Sequence, residues 1–272
     1  MCIRDRKTRR QIAVKHRDDQ YAERYRTAIW LEESDHDNPF VETAAFCHGY
    51  PFEELVNKVS YPQMLFLLLK GELPTKPQEL LLNKALVAFS HPGVRHDAAR
   101  AAALAGVGKT LPQNVLPIAM LVFGGSRTGS ADVAKMMRYF TKTKRQSAVE
   151  ALAIDKAPIV LGDYFGEADV MAAKIAQWLS QGDDETPHID WGIKLVAEAQ
   201  TQNKKIGWTK ASVAAAVFCD LGLMPKFGVA LMQLLAAPGL LAQGFEHANK
   251  PVTVLPFVGD ENYEIQAEFA PS

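Results

Sequence analysis

The residues with the clearest potential for chemistry lie in a glycine-rich loop near the middle of the chain. This loop reads Gly-Gly-Ser-Arg-Thr-Gly-Ser from residue 124 to residue 130 and precedes a segment with helical character. Arg127 would lie at the N-terminus of that helix, where backbone N–H groups and the helix dipole favour an anion. The pattern therefore indicates a site for a phosphate or carboxylate group. A surface ion pair is the competing interpretation of this arginine.

Other motifs of this kind carry less weight. Residues 106–110, Gly-Val-Gly-Lys-Thr, look like half of a P-loop, but Ala103 stands where the first glycine is required and a helix precedes the segment. The seven histidines show no metal-ligand spacing, so we expect no metal site. Gln243 and His247 are four residues apart and share a helix face. We interpret them as a solvent-facing helix end, with a relocated active-site pair as the alternative.

The composition is that of an ordinary globular protein. The chain has 272 residues, of which 48% are hydrophobic and 22% are charged, and its formal net charge is -1. This balance excludes the global electric field of a nucleic-acid-binding or membrane-surface protein, and we expect neither partner. Three cysteines, Cys2, Cys47 and Cys219, show no C-x-x-C spacing. They argue against a disulfide framework or a zinc site and favour a reducing compartment, so we expect a cytoplasmic protein.

The elements that must position these residues are predicted to be helices. From Pro51 onward the apolar residues recur with helical spacing, which predicts an all-α fold of about ten helices with almost no strand. Two apolar blocks, 46–125 and 211–265, predict a large helical domain that encloses a smaller inserted domain at 126–210. An interface of this kind is a common place for a ligand. We expect the last long helix to break near Pro238 and the tail from Val252 to pair briefly as a strand.

The N-terminal 45 residues are interpreted as a peripheral arm. They are polar and mixed in charge, with a turn at 35–39, and the basic segment lacks the apolar region of a secretory signal. Residues 1–6, Met-Cys-Ile-Arg-Asp-Arg, look like the translation of a common sequencing adapter. We therefore expect that these six residues are an assembly artefact and that the natural N-terminus is missing.

Several motifs resemble those of the citrate synthase superfamily, including its short citryl-CoA lyase-like members, over about residues 46–260. Residues 47–56 look like the family's R-G-Y-P-I-E-E-L, and residues 67–75 match its L-L-L-x-G-E-L-P-T. Shorter segments resemble the family's D-H-x-G turn, its A-A-R and its C-terminal helices: residues 90–93, 98–100, 220–225 and 237–246. The coincidence of the first two motifs in this order makes the resemblance specific.

The resemblance implies a citrate synthase-like homodimer in which a large and a small helical domain close on the substrates. It implies no tightly bound cofactor, with a coenzyme A thioester and an oxo acid as substrates. In such enzymes a carboxylate removes the α-proton of the thioester while a histidine donates a hydrogen bond to the developing enolate oxygen. An active member would be an acyltransferase of the citrate synthase type or a lyase of the citryl-CoA type.

The catalytic positions carried over from the family are replaced in this chain. The loop histidine falls at Thr128, the histidine of the P-G-x-G-H motif falls near Asp163, and the aspartate base falls at Ala211. A carboxylate-binding arginine falls at Ala236, and the A-H near the C-terminus becomes Ala242-Gln243. Alanine has no proton acceptor, so the resemblance predicts that standard citrate synthesis is lost or altered.

A few polar residues remain as candidates beside these losses. His91 lies at an oxo-acid-binding histidine position, with a helix-terminal histidine satisfied by backbone as the alternative. Asp163 could replace a histidine in acid–base chemistry, or it could cap a turn. Lys204, Lys205 and Lys210 could meet the phosphates of coenzyme A, or they could belong to a solvated linker.

Two hypotheses of different classes therefore stand. The first is a degenerate family member with a regulatory or structural role, as a homodimer or as the partner of an active paralogue. The second is a divergent enzyme that makes or cleaves a carbon–carbon bond in an acyl-CoA with rearranged residues. The losses at Thr128, Ala211 and Ala236 favour the first on chemical grounds.

Overall fold

A computed structural model describes residues 24–181 and 186–264 of the chain. The interpretation of residues 1–6 as an artefact therefore lies outside the described residues. The described residues divide into two compact units, one as far as residue 59 and one from residue 60 onward. The predicted domain boundaries at 125/126 and 210/211 stay a prediction.

The described part of the first unit is a small antiparallel sheet followed by a short helix. The strands β1 (Trp30–Ser34), β2 (Glu42–Cys47) and β3 (Tyr50–Pro51) lie in the order β1-β2-β3, and α1 follows as Phe52–Lys58. The predicted turn at 35–39 joins β1 to β2, since Asp35 Oδ1 accepts hydrogen bonds from two backbone N–H groups two and three residues later. The interpretation as an arm missed this hairpin because the segment is polar and mixed in charge as a whole.

The second unit is helical, which confirms the predicted all-α fold class. Most of these helices begin at the cap and proline signals visible in the sequence. Its helices are α2 (Tyr61–Lys70), α3 (Lys76–Ala88), α4 (Asp97–Val107), α5 (Pro112–Phe123), α6 (Val133–Thr143), α7 (Ala148–Ile154), α8 (Val170–Ser180), α9 (Pro187–Gln202), α10 (Lys210–Asp220) and α11 (Pro225–Ala248).

The core of this unit is built around α10 and α11. Residues 211–218 of α10 are all buried, and α10 packs against α6 and α9. Helix α11 packs against α4 and α5, where small residues allow the backbones to approach closely. A Cβ atom on Gly106 would lie 2.2 Å from the carbonyl oxygen of Gly244, so no side chain fits at this crossing.

The predicted break in the last long helix is wrong, because Pro238 lies inside the continuous helix α11. Proline disturbs the helical hydrogen bonds in the turn around it. Here the N–H of the next residue, Gly239, donates to the carbonyl oxygen of Ser90 at 2.9 Å, so a tertiary contact supplies the partner. A Cβ atom on Gly239 would lie 2.3 Å from that oxygen, which explains the glycine.

Helix α11 also bears on the expectation of no membrane partner. Within the described residues it alone is long and apolar enough to span a membrane, on length and composition only. However, 44% of its most apolar window is buried inside the protein. A core helix passes the same test, so this property by itself is weak support for a membrane span.

The tail does not form the predicted strand within the described residues. The segments Val252–Val254 and Asp260–Asn262 are single 3-10 turns. Lys109 Nζ donates to the carbonyl oxygens of Ala248 at 2.6 Å and Lys250 at 3.1 Å, which holds the chain where it leaves α11. The apolar residues of this tail suggested a strand, but as far as residue 264 they have no partner strand.

Candidate functional site

The glycine-rich loop folds back on the end of α5. The Ser130 N–H donates to the carbonyl oxygen of Phe123 at 2.9 Å, and the loop between them turns on glycines. A Cβ atom on Gly129 would lie 2.0 Å from the Phe123 oxygen and 2.6 Å from the Gly125 oxygen. Both obstacles are backbone atoms that cannot rotate away, so this position requires glycine. The frame of the loop is thus set by packing.

One wall of a cleft is formed by this loop, and four other parts of the chain complete the cleft. These parts are the turn before α4, the start of α6, the segment between α7 and α8, and the start of α10. The lining residues are Pro92, His96, Ser126, Arg127, Thr128, Gly129, Asp132, Met136, Asp163, Tyr164, Asp169, Thr209, Lys210 and Ala211. The structure therefore brings together Thr128, Asp163 and Ala211, three positions at which the family resemblance places catalytic groups.

His96 ties two walls of the cleft together. Its side chain is buried, and its Nδ1 accepts a hydrogen bond from the Ala98 N–H at 3.0 Å, capping α4. Nε2 then carries the proton and donates to the carbonyl oxygen of Thr128 at 3.0 Å. Burial lowers the pKa of His96 below its ordinary value, and the bond to Thr128 opposes this shift. The His96 ring is therefore neutral, and its two hydrogen bonds hold the start of α4 against the glycine-rich loop.

This lowered pKa predicts a pH dependence of stability. The unfolded chain binds a proton at His96 more readily than the folded chain does, so stability is complete above the ordinary pKa and falls as the pH drops below it. The limit for one proton is about 1.4 kcal/mol per pH unit. We expect the free energy of unfolding of the native chain to fall more steeply between pH 7 and pH 5.5 than that of His96→Asn. Urea unfolding at several pH values measures this slope.

The fully exposed His36 supplies the control for that measurement, because its side chain is 99% exposed. His36→Asn should leave the pH slope of the native chain unchanged. An equal slope in the native chain and in His96→Asn would contradict the assignment of a neutral His96.

The carboxylates that line the cleft already have partners. Asp132 Oδ1 pairs with Lys135 Nζ at 2.7 Å, and Asp169 Oδ1 accepts from the Ala172 N–H at 2.9 Å, capping α8. Asp163 Oδ1 accepts from the Gly166 N–H at 2.6 Å, so it caps a turn, which was the alternative interpretation. Each carboxylate is thus engaged in local structure through one of its oxygens.

The cleft also contains two cations. Lys210, the first residue of α10, donates through Nζ to the carbonyl oxygen of Pro92 at 2.8 Å. Arg127 is exposed, and its guanidinium carbon lies 4.8 Å from the centre of the Phe165 ring. This stacking orients the arginine towards the 163–166 turn, in which Phe165 adopts a φ of 55°. Among the described residues no carboxylate pairs with Arg127, so the predicted surface ion pair is not found.

Two of the predicted substrate-binding positions lie away from this cleft. His91 borders a neighbouring groove, and its Nδ1 accepts a hydrogen bond from the Gly93 N–H at 2.8 Å. Ala236 is buried in α11. The pair of Gln243 and His247 lines a different groove, with Gln243 Nε2 3.2 Å from His247 Nδ1. Of the three candidate lysines, Lys210 alone lines the cleft.

Comparison with known proteins gives matches among solved structures only. No protein-family model matches the chain, and no curated protein sequence does. Citryl-CoA lyase from Hydrogenobacter thermophilus has a TM-score of 0.71 at 21% identity, covering 91% of this chain and 96% of the lyase chain. The similarity extends over nearly the whole length of both chains. It agrees with the predicted all-α fold. The chain has a citrate synthase-like fold.

Two further structures with the citrate synthase-like fold extend the comparison. ATP citrate lyase from Methanothrix soehngenii, solved with citrate and coenzyme A, has a TM-score of 0.66 at 12% identity. This chain covers 44% of that longer protein. Citrate synthase from the thermophilic archaeon Thermoplasma acidophilum, solved with carboxymethyl coenzyme A and oxaloacetate, has a TM-score of 0.56 at 17% identity over 78% of this chain and 60% of that one.

Within this citrate synthase-like fold, three cleft residues with imidazole or carboxylate side chains were not among the sequence candidates. His96, Asp132 and Asp169 all line the cleft, and each lies immediately before a helix. In a sequence such residues read as N-caps, and His96 and Asp169 do cap their helices. The His96-Asp97 pair beside the motif that begins at Ser90 was a signal that could have identified His96.

Proposed function

We propose that the chain is a citrate synthase-like protein that binds an acyl-CoA or an oxo acid in this cleft without catalysing the family's usual carbon–carbon chemistry. The observation that carries the proposal is Ala211 on the cleft wall, where the resemblance places the aspartate base. A methyl group accepts no proton. The nearby carboxylates of Asp132, Asp163 and Asp169 each hold a local structure through a hydrogen bond or an ion pair.

The expected loss of rate is large. A positioned general base contributes about 10²–10⁴ in rate, and one donor to a developing oxyanion contributes about 10²–10³ more. Thr128 offers a short neutral hydroxyl where the family has an imidazole. His96 cannot substitute, since its Nδ1 accepts from a backbone N–H and its Nε2 donates to a carbonyl oxygen.

The binding half of the proposal rests on charge and on the neighbouring structures. Lys210 and Arg127 supply two cations to a cleft wall made partly of loop backbone. Cations of this kind attract carboxylates and phosphates. The similar ATP citrate lyase and citrate synthase were solved with citrate, coenzyme A, or close analogues. We therefore propose the same class of ligands for this chain, with no tightly bound cofactor.

Two measurements test the proposal. Isothermal titration with coenzyme A and with oxaloacetate should show saturable binding of at least one, weakened at least about tenfold by Lys210→Met because a charge-assisted contact is lost. Lys204→Met, at an exposed lysine outside the cleft, is the matched control. Acetyl-CoA in deuterated buffer should show no exchange at the methyl group above the buffer rate. Absence of binding by both ligands, or clear exchange, would contradict the proposal.

A divergent enzyme is the second candidate, favoured by the three aspartates that line the same cleft. One of them could remove a proton if ligand binding released it from its present partner. Methyl exchange that disappears in Asp169→Asn or Asp132→Asn would establish this alternative. The active protein would then be an acyltransferase of the citrate synthase type or a lyase of the citryl-CoA type.

The resemblance and the composition also support proposals for the assembly and the location of the protein. A homodimer, or a heteromer with an active paralogue, follows from the family resemblance and from the loss of the catalytic groups. A cytoplasmic location follows from the sparse cysteines.

A further inference from the structure

A groove beside the cleft has the features of a second ligand site. It runs between α3 and α8 and encloses a volume of about 520 Å³, which lies within the usual range for small-molecule pockets. Its lining residues are Asn83, Lys84, Val87, Ala88, His91, Met171, Ile175, Trp178, Leu179 and Lys210. This groove, called the α3–α8 groove below, does not include the loop at 124–130.

The walls of the groove are apolar faces of two helices. On α8 the residues Met171, Ile175 and Trp178 recur with helical spacing, and they face Val87 of α3 across the groove. Ile175 is buried, whereas Val87, Met171 and Trp178 are about half or more exposed. Large apolar side chains left open to water in one place indicate a contact surface.

One end of the groove is cationic. Lys210 Nζ and the His91 ring both bind the turn at 91–93, through the Pro92 carbonyl oxygen and the Gly93 N–H. Because His91 Nδ1 accepts a hydrogen bond, the neutral ring carries its proton on Nε2 and can donate it. No aspartate or glutamate lines the groove among the described residues, and no carboxylate there forms an ion pair with Lys210.

The α3–α8 groove has apolar walls and an ammonium group at one end, and this combination suits a ligand with an apolar chain and a negatively charged end. We propose that the α3–α8 groove binds an aliphatic carboxylate, with its chain along Ile175 and Trp178 and its carboxylate at Lys210. The ammonium group supplies the charge that a carboxylate needs, and His91 lines the same groove as a second polar residue. The apolar walls should bind a longer aliphatic chain more tightly, since each buried methylene favours binding. The groove shares Lys210 with the cleft, but its apolar walls are separate, and this inference does not require that the cleft bind an acyl-CoA or an oxo acid.

Sodium salts of straight-chain acids from butyrate to octanoate are the probes, with octylamine as the probe of opposite charge. Isothermal titration of the full chain should show affinity that rises by about fourfold per methylene until the groove is filled. Octylamine should bind at least about tenfold more weakly than octanoate, because its charge repels Lys210. Trp178 is 53% exposed in the groove, so tryptophan fluorescence provides an independent readout.

Two variants and a matched control locate the ligand. Val87→Glu places a negative charge at the groove, and Lys210→Met removes the cation but keeps the apolar stem. Each should weaken octanoate binding at least about tenfold, since an unpaired or repelled carboxylate is costly to desolvate. Val149→Glu makes the same change on α7 at a site that is 60% exposed, and it should leave the affinity within about twofold.

The outcomes separate this inference from the proposed function. Affinity that does not depend on chain length, equal binding of octylamine, or octanoate binding that survives Val87→Glu would overturn the groove assignment. Octanoate binding without any binding of coenzyme A or oxaloacetate would support the groove and contradict the cleft proposal. Thermal melting of each variant checks that the fold is retained, and Val87→Glu tests the site even if Lys210→Met unfolds.

Discussion

Replacing Ala211 by aspartate is expected to give the chain measurable deuterium exchange at the methyl group of acetyl-CoA, about 10²–10⁴-fold above the native chain. Ala211 lines the cleft, and the resemblance places the family's carboxylate base at this position. The substitution supplies the missing proton acceptor at a wall that otherwise presents a methyl group. Mass spectrometry of recovered acetyl-CoA after incubation in deuterated buffer measures the exchange.

The local structure favours this substitution. Ala211 is the second residue of α10, directly after the Thr209 cap and Lys210, and an acidic residue in the first turn of a helix is stabilised by the helix dipole. Its side chain is 8% exposed and faces the cleft, so the longer carboxylate can extend into open space. We therefore expect Ala211→Asp to fold.

Ala211→Asn is the matched control, because asparagine has nearly the same size and no basic group. Exchange in the aspartate variant but not in the asparagine variant would show that a base is what the cleft lacks. Adding Thr128→His to Ala211→Asp should raise exchange by roughly a further 10²–10³, through a donor to the enolate oxygen. Equal exchange in Ala211→Asp and Ala211→Asn would contradict the proposal that the base was lost. Exchange already present in the native chain would contradict it as well.

Asp220→Ala is expected to lower the free energy of unfolding by about 3–5 kcal/mol. The Asp220 side chain is fully buried at the last residue of α10 and accepts three hydrogen bonds from the start of α9. These come from the His188 N–H at 2.8 Å, His188 Nδ1 at 2.7 Å and the Ile189 N–H at 3.2 Å. Alanine would leave all three donors buried without a partner.

The position of the Asp220 carboxylate increases its contribution to the free energy of unfolding. It lies at the N-terminus of α9, where the helix dipole favours a negative charge, and it joins the end of α10 to that helix. His188 Nε2 is buried with no hydrogen-bond partner, so the ring depends on Asp220 for its polar contact. Because α10 provides a cleft wall through Lys210 and Ala211, loosening its far end should also weaken the cleft.

Urea unfolding measures the effect, and the expected loss corresponds to a drop in Tm of about 6–20 °C for a chain of this size. Asp97→Ala is the control, since Asp97 is exposed and lies 3.7 Å from Arg100 in a surface pair. That substitution should change stability by no more than about 1 kcal/mol. A loss of similar size for both variants would show that the buried carboxylate has no special role.

Particular elements show where sequence reasoning succeeded. The prediction of helices from Pro51 onward succeeded for Asp97–Val107, Pro112–Phe123 and Pro187–Gln202, because local cap, proline and alanine signals define these helices. The break at Pro238 and the strand after Val252 were wrong, since both depend on partners distant in the sequence. Gly239 finds its acceptor at Ser90, and the tail finds no strand to pair with as far as residue 264.

For the candidate site, too, sequence reasoning identified some residues and missed others. The loop at 124–130 and the replacements at Thr128, Asp163 and Ala211 were identified from motifs alone. His96 was missed because its two hydrogen bonds reach Ala98 nearby and Thr128 in a different segment, and only the second reveals its position in the cleft. The α3–α8 groove was missed because Val87 and Trp178 look like ordinary core residues in a helical pattern.

From residue order alone, the chain yields its helices, its fold class and the absence of a carboxylate at residue 211, because propensity, capping and residue identity are local properties. The cleft, the cation at its edge and the apolar groove beside it required three-dimensional packing. Segments around residues 92, 128, 163 and 210 are far apart in the chain, and they form one surface only after α10 and α11 have packed into the core. Burial and hydrogen bonding between distant segments decide which polar groups stay free to meet a ligand.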